Sequence, residues 1–211
     1  KDLVPVGLVA SGPAVLVVRA DSPYKTLGDV VTAAKAKPGQ LTFASPGIGT
    51  AAHLISELWQ KSSGMKLTHV PYRGMSQALP DLIGGQVDMY MGSIPTLQSQ
   101  IQGGKVRALG VTTPTRSAVL PNVPTYTESG IPGVELASVW GVMAPVGTPQ
   151  NVIQRLNTEI NKILQQPDTR EKILASGAGV LGGSPQDMSN LYTTDRQRLT
   201  SVVRDSGTKL D

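Results

Sequence analysis

The sequence predicts an α/β protein in which a parallel sheet is covered by helices on both faces. Three observations carry that expectation. Short apolar and β-branched runs alternate with amphipathic stretches over the first half of the chain, and these stretches end at Gly or Pro-Gly stops. One run, Ala14-Val15-Leu16-Val17-Val18, is apolar without interruption, which marks a strand buried on both faces.

In chain order, that strand is followed by a break at Asp21-Ser22-Pro23 and a helix from Leu27 to Lys37, stopped by Pro38-Gly39. Leu41 to Ala44 is the next strand. Ala51 to Ser62 is the next helix, with Leu54, Ile55, Leu58 and Trp59 at helical spacing. A strand over Leu67 to Tyr72 leads to a helix from Ser76 to Ile83 that ends at Gly84-Gly85. Gln86 to Met91 is a strand, Ile94 to Gln102 a helix closed by Gly103-Gly104, and Val106 to Val111 a strand again.

From Pro114 to Pro132 the rhythm lapses into a loop rich in Pro, Thr and Ser, with one helical turn expected at Tyr126 to Ser129. Val134 to Ala144 reads as an extended connection carrying Trp140, and Pro145 to Pro149 as a turn. Val152, Ile153, Leu156, Ile160, Ile163 and Leu164 mark a long amphipathic helix, with further helices near Thr169 to Ser176 and Pro185 to Arg204. A sheet region and a helical tail joined by an extended segment suggest two lobes.

Composition narrows the function. With 211 residues and 39% hydrophobic content the chain can bury a substantial core, yet it is short for two independent domains. The net charge is +4 and the isoelectric point about 9.4. The 19 Lys and Arg are scattered, however, and aromatic residues make up only 4%, so no stacking platform for nucleic acid is present. The absence of cysteine excludes disulfides and thiol chemistry, and two histidines, His53 and His69, are too few for a typical zinc site. No apolar run is long enough to span a membrane. The chain opens at Lys1, and Asp2-Leu3-Val4-Pro5-Val6-Gly7 reads as the middle of a domain.

The stretch that carries most chemistry is Phe43-Ala44-Ser45-Pro46-Gly47-Ile48-Gly49-Thr50-Ala51-Ala52-His53, a strand that passes through a glycine turn into a helix with Thr50 at its N-cap. The first turn of a helix leaves backbone N–H groups unpaired at the positive end of the macrodipole, which suits a carboxylate or phosphate. Gly47 and Gly49 permit close backbone approach. The same strand, turn and helix also occur for structural reasons alone. A P-loop is excluded because no Lys follows the second glycine. Gly47-Ile48-Gly49-Thr50-Ala51-Ala52 does fit the dinucleotide pattern G-x-G-x-x-A, so an NAD(P)-dependent oxidoreductase stays open as an alternative; Arg73 and no ribose-binding acid follows the next strand, which disfavours NAD, while an Arg can meet a 2′-phosphate.

Several stretches together resemble the extracytoplasmic solute-binding proteins of the tripartite tricarboxylate transporter system, the TctC or Bug family. They are Ser45 to Thr50 with His53-Leu54; His69-Val70-Pro71-Tyr72-Arg73-Gly74; Gly84-Gly85-Gln86-Val87-Asp88; Gly104 to Leu109; Leu120 to Thr125 with Gly130; Trp140-Gly141; and Ala144 to Pro149. The resemblance covers nearly the whole chain. It implies a periplasmic-binding-protein fold of type II, a Venus flytrap, with the second lobe complete and the first partial. Residues 1–17 would end the first lobe and form the first crossover, 18–136 would form the second lobe, and 137–211 the second crossover and C-terminal helices of the first lobe.

The resemblance further implies a periplasmic, non-catalytic protein without cofactor that captures a small organic carboxylate. It would deliver that acid to membrane transporter subunits or, in a sensing role, present its closed lobes to a receptor. In the family the carboxylate is held at two strand-to-helix loops. One maps onto Ser45, Gly47, Ile48, Gly49 and Thr50; the other, a Pro-Gly-Gly loop near the family's N-terminus, has no counterpart in this sequence. Tyr72 and Gly74 follow a strand C-terminus, where open α/β sheets bind ligands. His53 is expected packed or at the rim, Asp88 as an organiser of loops or a partner for a cationic group, and Trp140 packed at the interlobe connection and not on a ligand. Gly92 stands where family members often carry a polar or acidic residue, which disfavours amino acids as ligands.

Overall fold

The computed structural model describes residues 2–206. Its organising element is β1 (Leu3–Arg19), a strand of 17 residues. The order continues α1 (Leu27–Ala36), β2 (Thr42–Ser45), α2 (Ala51–Ser63), β3 (Thr68–Pro71), α3 (Met75–Ile83), β4 (Met89–Ser93), α4 (Ile94–Gln102) and β5 (Val106–Val111). After a long loop come β6 (Ala137–Pro145), α5 (Gln150–Leu164), α6 (Pro167–Ala175), β7 (Gly179–Val180) and α7 (Pro185–Ser206).

The second part of β1 lies inside a sheet of order β3-β2-β4-β1-β5. Its side chains alternate as a strand buried on both faces requires. Ala14, Leu16 and Val18 enter one core with Val30 of α1 and Ile55 and Trp59 of α2. Val15 and Val17 enter the other with Leu82 of α3 and Leu97 of α4. The first part of β1 pairs with β6 from Leu3↔Pro145 to Pro13↔Ala137, and briefly with β7. There Val6, Ala144 and Ile153 form a third, smaller cluster under α5.

Two expectations need correction. The sheet is mixed: β2 runs parallel to β3 and β4, but β1 runs antiparallel to both β4 and β5. An apolar run specifies burial on two faces and says nothing of direction; here the direction follows from β1 arriving as the continuation of the strand paired with β6. The segment expected as an extended connection is itself strand β6, and residues 3–13, for which no strand was expected, are its partner.

The two parts of β1 meet at a buried threonine. Thr112 Oγ1 accepts from Ala14 N at 3.0 Å and donates to Leu136 O at 2.7 Å, while Thr112 N donates to Ala14 O at 3.0 Å. One side chain thus ties the end of β5 to the turning point of β1 and to the start of β6. Thr112→Val should leave the Ala14 amide without its acceptor and lower unfolding stability by about 1–3 kcal/mol. Urea denaturation monitored by circular dichroism would read that loss.

Candidate functional site

Because β2, β3 and β4 are mutually parallel, the helices that follow them all begin at one edge of the sheet. β1 is antiparallel to β4, so Ala14 lies opposite Ser93 at this same edge, and β6 crosses beside it. A cavity of about 350 Å³ opens there. Pro46, Thr50, Ala51 and Ala52 come from the mouth before α2, Gly74 and Met75 from α3, and Tyr90, Gly92, Ser93 and Thr96 from β4 and α4; Ala14, Ser138 and Trp140 come from the crossing strands. No charged side chain is among these lining residues.

What the cavity offers an anion is backbone. The first N–H groups of α2, α3 and α4 lack intrahelical partners and sit at the positive ends of three dipoles. Gly74 and Ser93, the N-caps of α3 and α4, make no side-chain capping bond. Gly74 adopts φ +141°, a conformation that favours glycine. α4 carries Pro95 in its first turn and so presents one donor fewer.

The loop before α2 is braced from behind by its own polar groups. Ser45 Oγ shares a 2.7 Å hydrogen bond with His69 Nε2 and accepts from Gly47 N at 3.2 Å. Thr50 Oγ1 donates to Gly47 O at 2.7 Å and accepts from His53 N, the N-cap bond of α2. Gly49 N donates to His53 Nδ1 at 3.1 Å. That bond requires an unprotonated Nδ1, which places the ring proton on Nε2, facing Glu57 Oε1 at 3.6 Å. The rings of Phe43, His69 and His53 stack beneath the loop, with His53 and His69 centroids 4.1 Å apart. Burial holds the His53 imidazole below its usual range. Burial, with repulsion from His53 added, lowers His69 to about 4.

The expected ligand residues therefore separate into groups. Thr50 and Gly74 line the cavity. Gly49 lines the neighbouring side of the α2 N-terminus, and its amide is engaged by His53. Ser45, Gly47 and His53 form the brace, and Ile48 is half exposed. Tyr72 turns its hydroxyl to Asp81 Oδ2 at 2.6 Å, a bond that pushes the phenol up to about 12. Asp88 lies at the opposite end of the strands, where its carboxylate accepts from Thr42 N and Oγ1. Trp140 lies in β6 with its ring over Gly12 and lines the cavity, where the sequence had placed it away from any ligand. Sequence reasoning missed Ala14, Met75, Tyr90, Ser93, Thr96 and Ser138. Only Ser93 carried a signal, as a serine directly before Ile94-Pro95 at a helix start.

The histidine brace makes the loop sensitive to acid. Both imidazoles are depressed in the folded state, so the unfolded chain binds more protons below the free value of 6.5. Stability should be complete above pH 6.5 and decline as the pH falls towards about 4, where His69 also takes a proton. His53→Gln with His69→Gln should flatten that part of the profile, as read by thermal unfolding at stepped pH.

Comparison with known proteins follows the same geometry. The family model described as "Tripartite tricarboxylate transporter family receptor" (TctC) matches residues 1–208. A Pseudomonas protein described as "UPF0065 protein in tcbD-tcbE intergenic region" is 43% identical over 96% of this chain and 61% of its own length. Protein BugT of Bordetella pertussis is 36% identical over 100% of this chain and 64% of its own length. The chain thus spans somewhat less than two thirds of these curated relatives. Among solved structures, R. palustris Rpa4515 with adipate superposes with a TM-score of 0.94 at 33% identity, covering 99% of this chain and 70% of that one. MatC of Rhodopseudomonas palustris with bound malate gives 0.88 at 29% identity, covering 95% and 69%. The periplasmic binding protein BugD gives 0.89 at 30% identity, covering 98% and 70%. Both the fold, of the type II periplasmic-binding-protein kind, and the match along the sequence lead to one conclusion: this chain belongs to the TctC family of tripartite tricarboxylate transporter receptors.

Proposed function

We propose that the chain is the ligand-capturing part of a periplasmic solute-binding protein that takes up a small organic carboxylate for a tripartite tricarboxylate-type transporter. The observation that carries this reading is the convergence of the N-termini of α2, α3 and α4 on one cavity with no charged lining residue. Such a cavity meets a carboxylate with oriented N–H groups and requires no basic side chain. The adipate and malate in the structures of Rpa4515 and MatC support it. Capture is non-catalytic: the acid is bound and released unchanged. Residues 18–136 would act as one lobe of a flytrap, with residues 1–17 and 137–211 belonging to the crossovers and the other lobe.

A panel of carboxylates should raise the melting temperature of the chain, whereas a nicotinamide nucleotide should not; the reverse pattern would favour the oxidoreductase reading of Gly47 to Ala52. A form extended at the N-terminus to the length of the relatives should bind more tightly, because a ligand between two lobes gains donors from both, each charge-assisted bond contributing about 1.5–3 kcal/mol. Equal affinities by calorimetry would count against the two-lobed site.

Substitutions in the loop separate its roles. Gly49 has φ +75°, which a β-branched residue strongly resists. Gly49→Val should displace the Gly49 amide from His53 and reduce carboxylate affinity by more than an order of magnitude, at least 1.4 kcal/mol. Thr50→Ala should cost about 1 kcal/mol of stability as a lost cap. Its effect on binding should stay within a few-fold, since the Thr50 hydroxyl already donates to Gly47 O. Calorimetric titration of a folded Gly49→Val with undiminished affinity would place the site elsewhere.

A further inference from the structure

Helix N-termini in this chain are closed in two ways, and the difference follows the cavity. Two helices that begin elsewhere, α1 and α7, use an acid at their third residue. In α1, Asp29 Oδ2 accepts from Thr26 N at 2.9 Å while Thr26 Oγ1 accepts from Asp29 N, a complete capping box. In α7, Asp187 Oδ2 accepts from Ser184 N at 2.7 Å and Ser184 Oγ accepts from Asp187 N. None of these residues lines the cavity. An acid in the first turn is favourable on its own account, because it faces the positive end of the dipole. The remaining helices away from the cavity, α5 and α6, have no side-chain cap.

The helices that begin at the cavity do the same work without charge. The third residue of α2 is His53: its Nδ1 accepts from Gly49 N, one residue before the cap, and its own N donates to Thr50 Oγ1. The third residue of α3 is Gln77, whose Oε1 accepts from Arg73 N at 3.3 Å, again one residue before the cap. That of α4 is Thr96, bonded to Ser93. None of the three helices has an acid in its first turn. The bonds also decide which donors remain. In α2, Thr50 N, His53 N and Leu54 N go to Gly47 O, Thr50 Oγ1 and Thr50 O. The amides of Ala51 and Ala52, both in the cavity wall, are left without a partner among the described residues.

We propose that His53 and Gln77 are positioning residues of the carboxylate site: each closes the loop before its helix through a neutral acceptor, so that the loop is held and the first turn carries no anion to repel the ligand. This rests on the carboxylate reading above and deepens it. His53 is neutral in this role, since Nδ1 accepts only while unprotonated. Glu57, one turn further on, faces His53 Nε2 at 3.6 Å, and burial pushes its carboxyl up, towards the neutral form. Across the α2 N-terminus, Asp195 of α7 is accompanied by the opposite charge of Arg196.

Gln77→Glu keeps the shape and the acceptor and adds only charge at an exposed position, so its unliganded melting temperature should equal or exceed that of wild type. Calorimetric titration with adipate, malate and acetate at low ionic strength should show it binding about three- to tenfold more weakly, a deficit that closes as salt is raised. His53→Asn supplies a neutral acceptor and should bind within about threefold of wild type, whereas the near-isosteric His53→Asp should bind at least about tenfold more weakly. The proposal is overturned if Gln77→Glu binds as tightly as wild type at low salt, or if His53→Asn and His53→Asp weaken binding equally, which would make His53 a matter of shape alone. If His53→Asp does not fold, Gln77→Glu decides. If the wild-type chain binds none of the three acids, the carboxylate reading itself fails, an outcome visible before any variant is made.

Discussion

Strand β1 is the constraint on which the rest of the molecule depends. It serves two partnerships in succession: residues 3–13 pair with β6, and residues 14–19 pair with β4 and β5. A strand can change partners in mid-course only if the backbone groups at the changeover are satisfied, since buried unpaired N–H and C=O groups are costly. Thr112 supplies that satisfaction at Ala14, and its hydroxyl reaches Leu136 at the head of β6 as well. The antiparallel course of β1 then brings its turning point to the edge of the sheet where α2, α3 and α4 begin. The cavity exists because the crossover and the helix N-termini share one edge.

The division of labour around that edge is sharp. Side chains with obvious chemical capacity hold the loop: Ser45, His53 and His69 bond to the backbone or to each other behind the cavity, and Thr50, at its wall, bonds to Gly47 O. The residues that face inward are uncharged, and the donors are backbone amides with the hydroxyls of Thr50, Ser93, Thr96 and Ser138. In this arrangement side chains set the position of the backbone, and the backbone makes the contact.

Much of this was legible in the residues. The run Ala14 to Val18 announced burial on both faces, and its alternation into two cores follows from the period of a strand. Thr50 announced the cap of α2, and the glycine stops announced the ends of α3 and α4. Strand direction was not legible, because the same apolar run suits either. β6 escaped because Ser138, Gly141 and the half-exposed Trp140 break the apolar pattern that marks a strand. Asp88 illustrates a further limit: its residue type suggests a ligand partner, yet it sits at the end of the strands remote from the cavity, bonded to Thr42. A site made of amides leaves little trace in residue identity.

The uncharged lining of the cavity has a consequence for the medium in which it works. Long-range attraction between a basic pocket and an acid weakens as dissolved ions accumulate, because the screening length shrinks to about 3 Å at 1 M. Amide hydrogen bonds act over a shorter distance than that and have no counter-ions to shed. A carboxylate held at the first turns of α2, α3 and α4 should therefore lose less affinity as salt rises than one paired with a basic side chain, the dipole attraction alone being screened.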